Sequence, residues 1–115
     1  IPCAEITFRT AVASEAIESI ARQCPDLFVG AGTVLDLASL FAARDAGATF
    51  GLAPGYNQAV VDTAQALDFA FAPGVMTPTD VDVCLSRGLK TMKFFPAGAC
   101  GGLKMLAAIE APYAH

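Results

Sequence analysis

The chain has 115 residues, 55% hydrophobic and 16% charged, with 7 basic against 11 acidic side chains and a net charge of −4. Such a composition describes one domain with a sizeable apolar core and rules out a disordered chain. The acidic balance, with no basic run, argues against a nucleic-acid face or an anionic membrane surface, and no apolar run approaches the roughly 20 residues that a membrane span needs.

Strand and helix alternate from the first residues. Segment 3–9 alternates strictly, with Cys3, Glu5, Thr7 and Arg9 on one side and Ala4, Ile6 and Phe8 on the other. In an ordinary sheet that polar row faces water; in a parallel barrel, whose outside is covered by helices, it points into the barrel. A helical stripe of Ala13, Ala16, Ile17, Ile20 and Ala21 follows, stopped by Pro25 and Asp26. Residues 27–34 then read as a buried strand breaking into a glycine turn, with Thr33 just past it. Asp36 is placed to cap a second helix through Leu37, Leu40 and Phe41, with Gly47 as its left-handed end. A strand at 48–52 runs into Ala53-Pro54-Gly55, and Asn57 opens a third helix. Residues 68–74 read as strand and turn again. Thr77-Pro78-Thr79-Asp80 is a capping box with proline at the first helical position, and its helix runs to Gly88. A strand at 89–95 and a helix at 103–110 complete five strand–helix units.

The residue types limit the chemistry. Cys3, Cys24, Cys84 and Cys100 are scattered without a C-x-x-C pair, the usage of a reducing compartment with thiols as small apolar packing. The single histidine is the last residue, His115, so the chain offers no Ser-His-Asp triad, Cys–His pair or histidine metal site. The chain opens at Ile1 without an initiator methionine, so a targeting signal cannot be read from it. Glycine- or proline-bearing turns follow four of the five strands, on the side where an α/β fold keeps its site. The Gly30-Ala31-Gly32-Thr33 turn lacks the third glycine of a dinucleotide fingerprint.

The strand at 89–95 carries the central candidate. Alternation puts Thr91, Lys93 and Phe95 on one face and Met92 and Phe94 on the other. Lys93 is either a solvated edge charge or an amine held in an apolar pocket. Gathered at the strand ends, Glu5, Arg9, Thr33 and Lys93, with Pro54 and Phe95 as apolar walls, form the set that Schiff-base chemistry on a 2-keto acid requires. A neutral amine attacks the carbonyl, a guanidinium and a hydroxyl hold the carboxylate, and a carboxyl shuttles protons. The plainer alternatives are a Glu5–Arg9 ion pair and a Thr33 hydroxyl that only satisfies its own turn.

The segments Glu5-Ile-Thr-Phe-Arg-Thr10, Val29-Gly-Ala-Gly-Thr-Val34, Ala-Pro-Gly, and Met92-Lys-Phe-Phe-Pro-Ala97 followed by Gly101-Gly102 resemble the bacterial 2-keto-3-deoxy-6-phosphogluconate (KDPG) aldolases, which also cleave 4-hydroxy-2-oxoglutarate (KHG). The resemblance implies a class I, metal-free aldolase of the Entner–Doudoroff pathway, on a (β/α)8 TIM barrel without a cofactor. It implies Lys93 as the Schiff-base lysine, Glu5 as general acid/base, Arg9 and Thr33 as pyruvate-carboxylate ligands, and Pro54 and Phe95 as pocket walls. It implies a cytoplasmic homotrimer acting on a small 2-keto acid. Residues 1–115 are expected to form a single incomplete barrel domain, α/β in class, matching strands two to six of eight. The first and last two strands, and with them the phosphate ligands, fall outside it. The galactonate-specific relative and a non-catalytic barrel fragment are the alternatives. A phosphosugar epimerase barrel, which wants metal ligands or paired acids, ranks below both.

Overall fold

The structure, a computed structural model, describes residues 2–113. Its elements are β1 (Cys3–Thr7), α1 (Ala13–Gln23), β2 (Phe28–Gly32), α2 (Leu37–Asp45), β3 (Phe50–Leu52), α3 (Gln58–Ala66), β4 (Ala70–Ala72), β5 (Gly74–Val75), α4 (Pro78–Ser86), β6 (Lys93–Phe94), α5 (Gly102–Glu110) and a 3-10 turn at Ala111–Tyr113. Every strand pairing is parallel, in the orders β1-β2-β3-β4 and β5-β6. His115 lies outside the described residues.

The helices start and stop where side chains can satisfy their free ends. The Asp36 carboxylate accepts from the Ser39 N–H at 2.8 Å, and the Ser39 hydroxyl caps back onto Asp36. These bonds hold the Asp36 carboxyl below its ordinary range. Asn57 accepts from the Ala59 and Val60 N–H groups. At α4, Thr77 accepts from Asp80 N–H, while the Asp80 carboxylate accepts from Met76 and Thr77 at 3.0 and 2.9 Å. Those backbone bonds likewise hold Asp80 below the usual carboxylate range. Helix α1 has no such cap, and Val12 stands exposed at its start.

The fourth expected strand is divided in two. Alternate carbonyls of a middle strand point to opposite neighbours, and Ala72 accepts from Ala53 N–H while Pro73 accepts from Lys93 N–H at 2.9 Å. Segments β4 and β5 are therefore one strand interrupted at Pro73, joining β3 to β6 in a single parallel array. The interruption also shortens β6, expected over 89–95 and formed only at Lys93–Phe94. In this register the donor for the Thr91 carbonyl would be the N–H that Pro73 lacks. Upstream of Lys93 the chain splays from β4, leaving an apolar cavity of about 410 Å³ between Phe71, Ala72 and residues 88–91.

The two faces of the array differ. Val29 and Ala31 of β2 meet Ile17 of α1, Leu40 and Ala43 of α2, and Val60 and Ala64 of α3 in one buried cluster. Val61, Val75, Val81, Cys84, Leu89 and Ile109 form a second, against which Met92 and Phe94 pack. Burial of this apolar area, at about 25 cal/mol per Å², is the principal term favouring the fold. The opposite face carries Cys3, Glu5 and Thr7 from β1, Gly30 and Gly32 from β2, and Lys93 from β6. The polar row of β1 thus faces away from the helices. Of the four thiols only Cys84 is buried, where desolvation and then Asp80 push its pKa up; Cys3 and Cys24 are exposed and Cys100 is half-buried. Apolar packing accounts for one cysteine rather than four.

Candidate functional site

The helix-free face brings Glu5 and Lys93 together from opposite ends of the array. Four strand spacings of roughly 4.8 Å would separate β1 from β6 by about 19 Å in a flat sheet, beyond the combined reach of the two side chains. Yet Lys93 Nζ stands 3.9 Å from Glu5 Oε1, both side chains about one-third exposed. The array therefore curls toward this face, and the pair spans its chord. Glu5 pairs with this lysine and not with Arg9.

Each partner is fixed by its own strand. The N–H groups of Lys93 and Phe95 donate to the carbonyls of Pro73 and Val75, at 2.9 and 3.1 Å. This bracketing aims the Lys93 side chain over the Phe95 ring, with Nζ 5.2 Å from the ring centroid, within cation–π range. Glu5 stands in register with Gly30, and its carboxylate leans over Gly32. A Cβ at Gly32 would overlap that carboxylate, and one at Gly30 would overlap the Phe50 ring. The two glycines are strand residues of β2, and the left turn after them is made by Thr33, at φ 59°. The glycine turn expected here is thus displaced by one residue. A β-branched residue in the left-handed region is a true outlier, of the kind that accumulates at functional sites.

The other candidates are placed less directly. Strand β1 ends at Thr7, and Arg9 N–H donates to the Thr7 carbonyl at 2.9 Å, closing a tight turn. Arg9 therefore leaves the strand alternation that was expected to carry it onto the Glu5 face. Its side chain is exposed and makes no hydrogen bond or ion pair among the described residues. Thr33 is half-buried, with no side-chain hydrogen bond there. Pro54 and Phe95 do meet, as walls of a cavity of about 300 Å³ that also takes in Tyr56, Gly74 and Asp80. The Tyr56 hydroxyl is buried without a hydrogen-bond partner among the described residues.

The second Ala-Pro-Gly, residues 72–74, is no turn. Gly74 lies in β5, and a side chain there would strike the Pro54–Gly55 backbone. Gly101 and Gly102, at φ 92° and 59°, do form the left-handed entry to α5 that a glycine pair permits. The Tyr113 hydroxyl bridges Asp82 and the Pro78 carbonyl, at 2.9 and 3.1 Å, and ties the turn at Ala111–Tyr113 to α4, a long-range contact that no local pattern in the sequence marks. The hydrogen bond to Asp82 pushes the Tyr113 pKa up. Among the described residues no three His, Cys, Asp or Glu side chains cluster as metal ligands would, and no helix is long and apolar enough to cross a membrane.

The family model of the KDPG and KHG aldolases matches residues 1–115. This chain belongs to that family. It is 42% identical over 112 residues to the 2-dehydro-3-deoxy-phosphogluconate aldolase of Haemophilus influenzae, covering 97% of this chain and 53% of the relative. It is 40% identical over 111 residues to the KHG/KDPG aldolase of Escherichia coli K12, covering 96% and 52%. The fold superposes with a TM-score of 0.94 on the KDPG aldolase of Legionella pneumophila, at 35% identity, over 99% of this chain and 55% of that one. That crystal structure holds pyruvate captured at low pH as a covalent carbinolamine intermediate. The chain thus spans about half the length of the relatives it matches, and the α/β architecture of the KDPG and KHG aldolases extends over essentially all of it.

Proposed function

We propose that the protein is a class I aldolase that cleaves KDPG to pyruvate and glyceraldehyde 3-phosphate, and KHG to pyruvate and glyoxylate. The observation that carries this reading is the Lys93–Glu5 pair, an amine and a carboxyl 3.9 Å apart on the open face of a chain from this family. Unprotonated Lys93 Nζ adds to the C2 keto group, and Glu5 supplies the proton that lets the carbinolamine lose water to an imine. The Glu5 carboxylate, left without its proton, takes the proton of the C4 hydroxyl, and the C3–C4 bond breaks. The aldehyde leaves and the bonding electrons enter the imine as an enamine. Protonation at C3 and hydrolysis then free pyruvate and regenerate the amine. Arg9 and Thr33 hold the keto-acid carboxylate, by the planar guanidinium fork and a hydroxyl. Pro54 and Phe95 keep water from the reacting carbons, and the chemistry needs no cofactor. The protein works in the cytoplasm as a homotrimer, in the Entner–Doudoroff pathway.

The test is pyruvate release from KDPG, from KHG and from the galactonate epimer, by the protein and by its Lys93→Met variant. Release from KDPG that vanishes in the variant is expected, because no other group present can serve as the electron sink. Undiminished release by the variant would overturn the reading. Faster release from the galactonate epimer would reassign the substrate.

A further inference from the structure

Glu5 can occupy its place only because residue 32 has no side chain. An added Cβ at Gly32 would overlap the Glu5 side chain, to which the three atoms nearest that Cβ all belong. Its backbone is ordinary strand, paired with Thr7, with its carbonyl accepting from Phe8 N–H at 2.8 Å. No left-handed conformation therefore calls for glycine here. A residue that is glycine for neither turn nor strain leaves space as its reason. We infer that Gly32 is a positioning residue, which seats the Glu5 carboxylate over β2 so that it reaches Lys93 across the curled face. This rests on the aldolase reading for its catalytic consequence, though not for its geometry.

An alanine at 32 fits the strand, and the atoms its Cβ would overlap first belong to Glu5. The carboxylate must then swing out of its seat, and the 3.9 Å approach to Nζ is lost. Gly30 is the internal control. It lies on the same face two residues earlier, but its Cβ would strike the Phe50 ring.

The experiment compares the unaltered protein with Gly32→Ala, Gly30→Ala, Glu5→Ala and the Glu5→Ala/Gly32→Ala double variant. Borohydride reduction with pyruvate, quantified as adduct on Lys93, reads the aldolase mechanism. Deuterium exchange of the pyruvate methyl protons in heavy water reads proton transfer within the adduct. Thermal unfolding and a crystal structure of Gly32→Ala read the collision itself.

Adduct on Lys93 trapped after imine formation has reached equilibrium is expected to stay within about twofold in Gly32→Ala, since a displaced acid slows that step without shifting its equilibrium. Methyl exchange should fall about a hundredfold, the scale of a displaced general acid/base. In the Glu5→Ala background the Gly32→Ala change should cost nothing further in exchange or unfolding temperature, since the atoms it collides with are gone. The crystal structure should show the Glu5 carboxylate turned away from Lys93. Equal exchange losses from Gly30→Ala and Gly32→Ala, or an undiminished cost of Gly32→Ala without the Glu5 side chain, would overturn the inference. So would a Glu5 carboxylate still beside Nζ above an alanine. Failure of the unaltered protein to form any adduct would sink the aldolase reading instead, and the unfolding cycle and the crystal structure would still decide the seating of Glu5.

Discussion

The two faces of the β-array are built from the same strands by opposite rules. On the helix-covered face Val29, Ala31 and Val75 interlock with Ile17, Leu40, Val60 and Val61, and the buried set of the described residues contains no polar or charged side chain. On the helix-free face β2 offers glycines at positions 30 and 32, and long side chains from its two neighbouring strands, Phe50 of β3 and Glu5 of β1, lie in the room they leave. The contrast shows how one short strand serves both faces: Val29 and Ala31 pack the core, and Gly30 and Gly32 leave room on the other side. Covered surface provides stability; uncovered surface provides reach across the curl.

Substitutions that act on one face alone can break or sharpen this contrast. The largest effect is expected at Lys93. Lys93→Met should abolish pyruvate adduct formation while lowering the free energy of urea unfolding by no more than about 1 kcal/mol, because only a partly exposed ion pair and a cation–π contact are lost. A large destabilisation would mean that the helix-free face also carries the fold. Leu40→Ala is the converse. It empties a fully buried site on the other face and should cost about 2–5 kcal/mol in urea unfolding, with the ability of the remaining folded protein to form adduct retained.

Smaller effects come from the helix starts. Thr77→Ala removes one half of the α4 capping box and should cost about 1 kcal/mol by the same assay. The carboxyls of Asp36 and Asp80 both lie below their ordinary 3.8 in the fold. A depressed carboxyl contributes stability that is present above its unfolded value and lost as pH falls through its folded one. The unfolding temperature should therefore decline as pH drops below about 4, and decline less steeply on the acid side in Asp36→Ala and Asp80→Ala. A slope unchanged in both variants would remove the caps from the account. The smallest effect belongs to Arg87→Ala, which breaks an exposed pair with Asp62 at 2.9 Å and should cost about 0.2–1 kcal/mol.

How legible these features are in the sequence follows from how local they are. The caps at Asp36, Asn57 and Thr77 and the helix ends at Gly47 and Gly88 are written in four or five adjacent residues, and each forms where it is expected. The division of the fourth strand at Pro73 follows from proline's missing donor, but only once its neighbour across the sheet is known. The Lys93–Glu5 pairing depends on curvature summed over the whole array, which alternation within one strand does not encode. Gly30 and Gly32 pass for a turn because the collisions they avoid come from Phe50 and Glu5, distant in sequence. The signal available was the spacing itself: two glycines at i and i+2 share a strand face, whereas a turn would use adjacent positions. Arg9 departs from the alternation because the chain turns on Thr7, two residues before it.

The most direct test of the central claim, that the helix-free face holds a nucleophilic lysine, is the site of a borohydride-reduced pyruvate adduct. The chain has three lysines, Lys90, Lys93 and Lys104, so peptide mass spectrometry gives an internal comparison. Lys90 and Lys104 are exposed, and the account assigns them no carbonyl chemistry. Adduct confined to Lys93 is the predicted result. Adduct spread evenly over all three lysines would contradict the account.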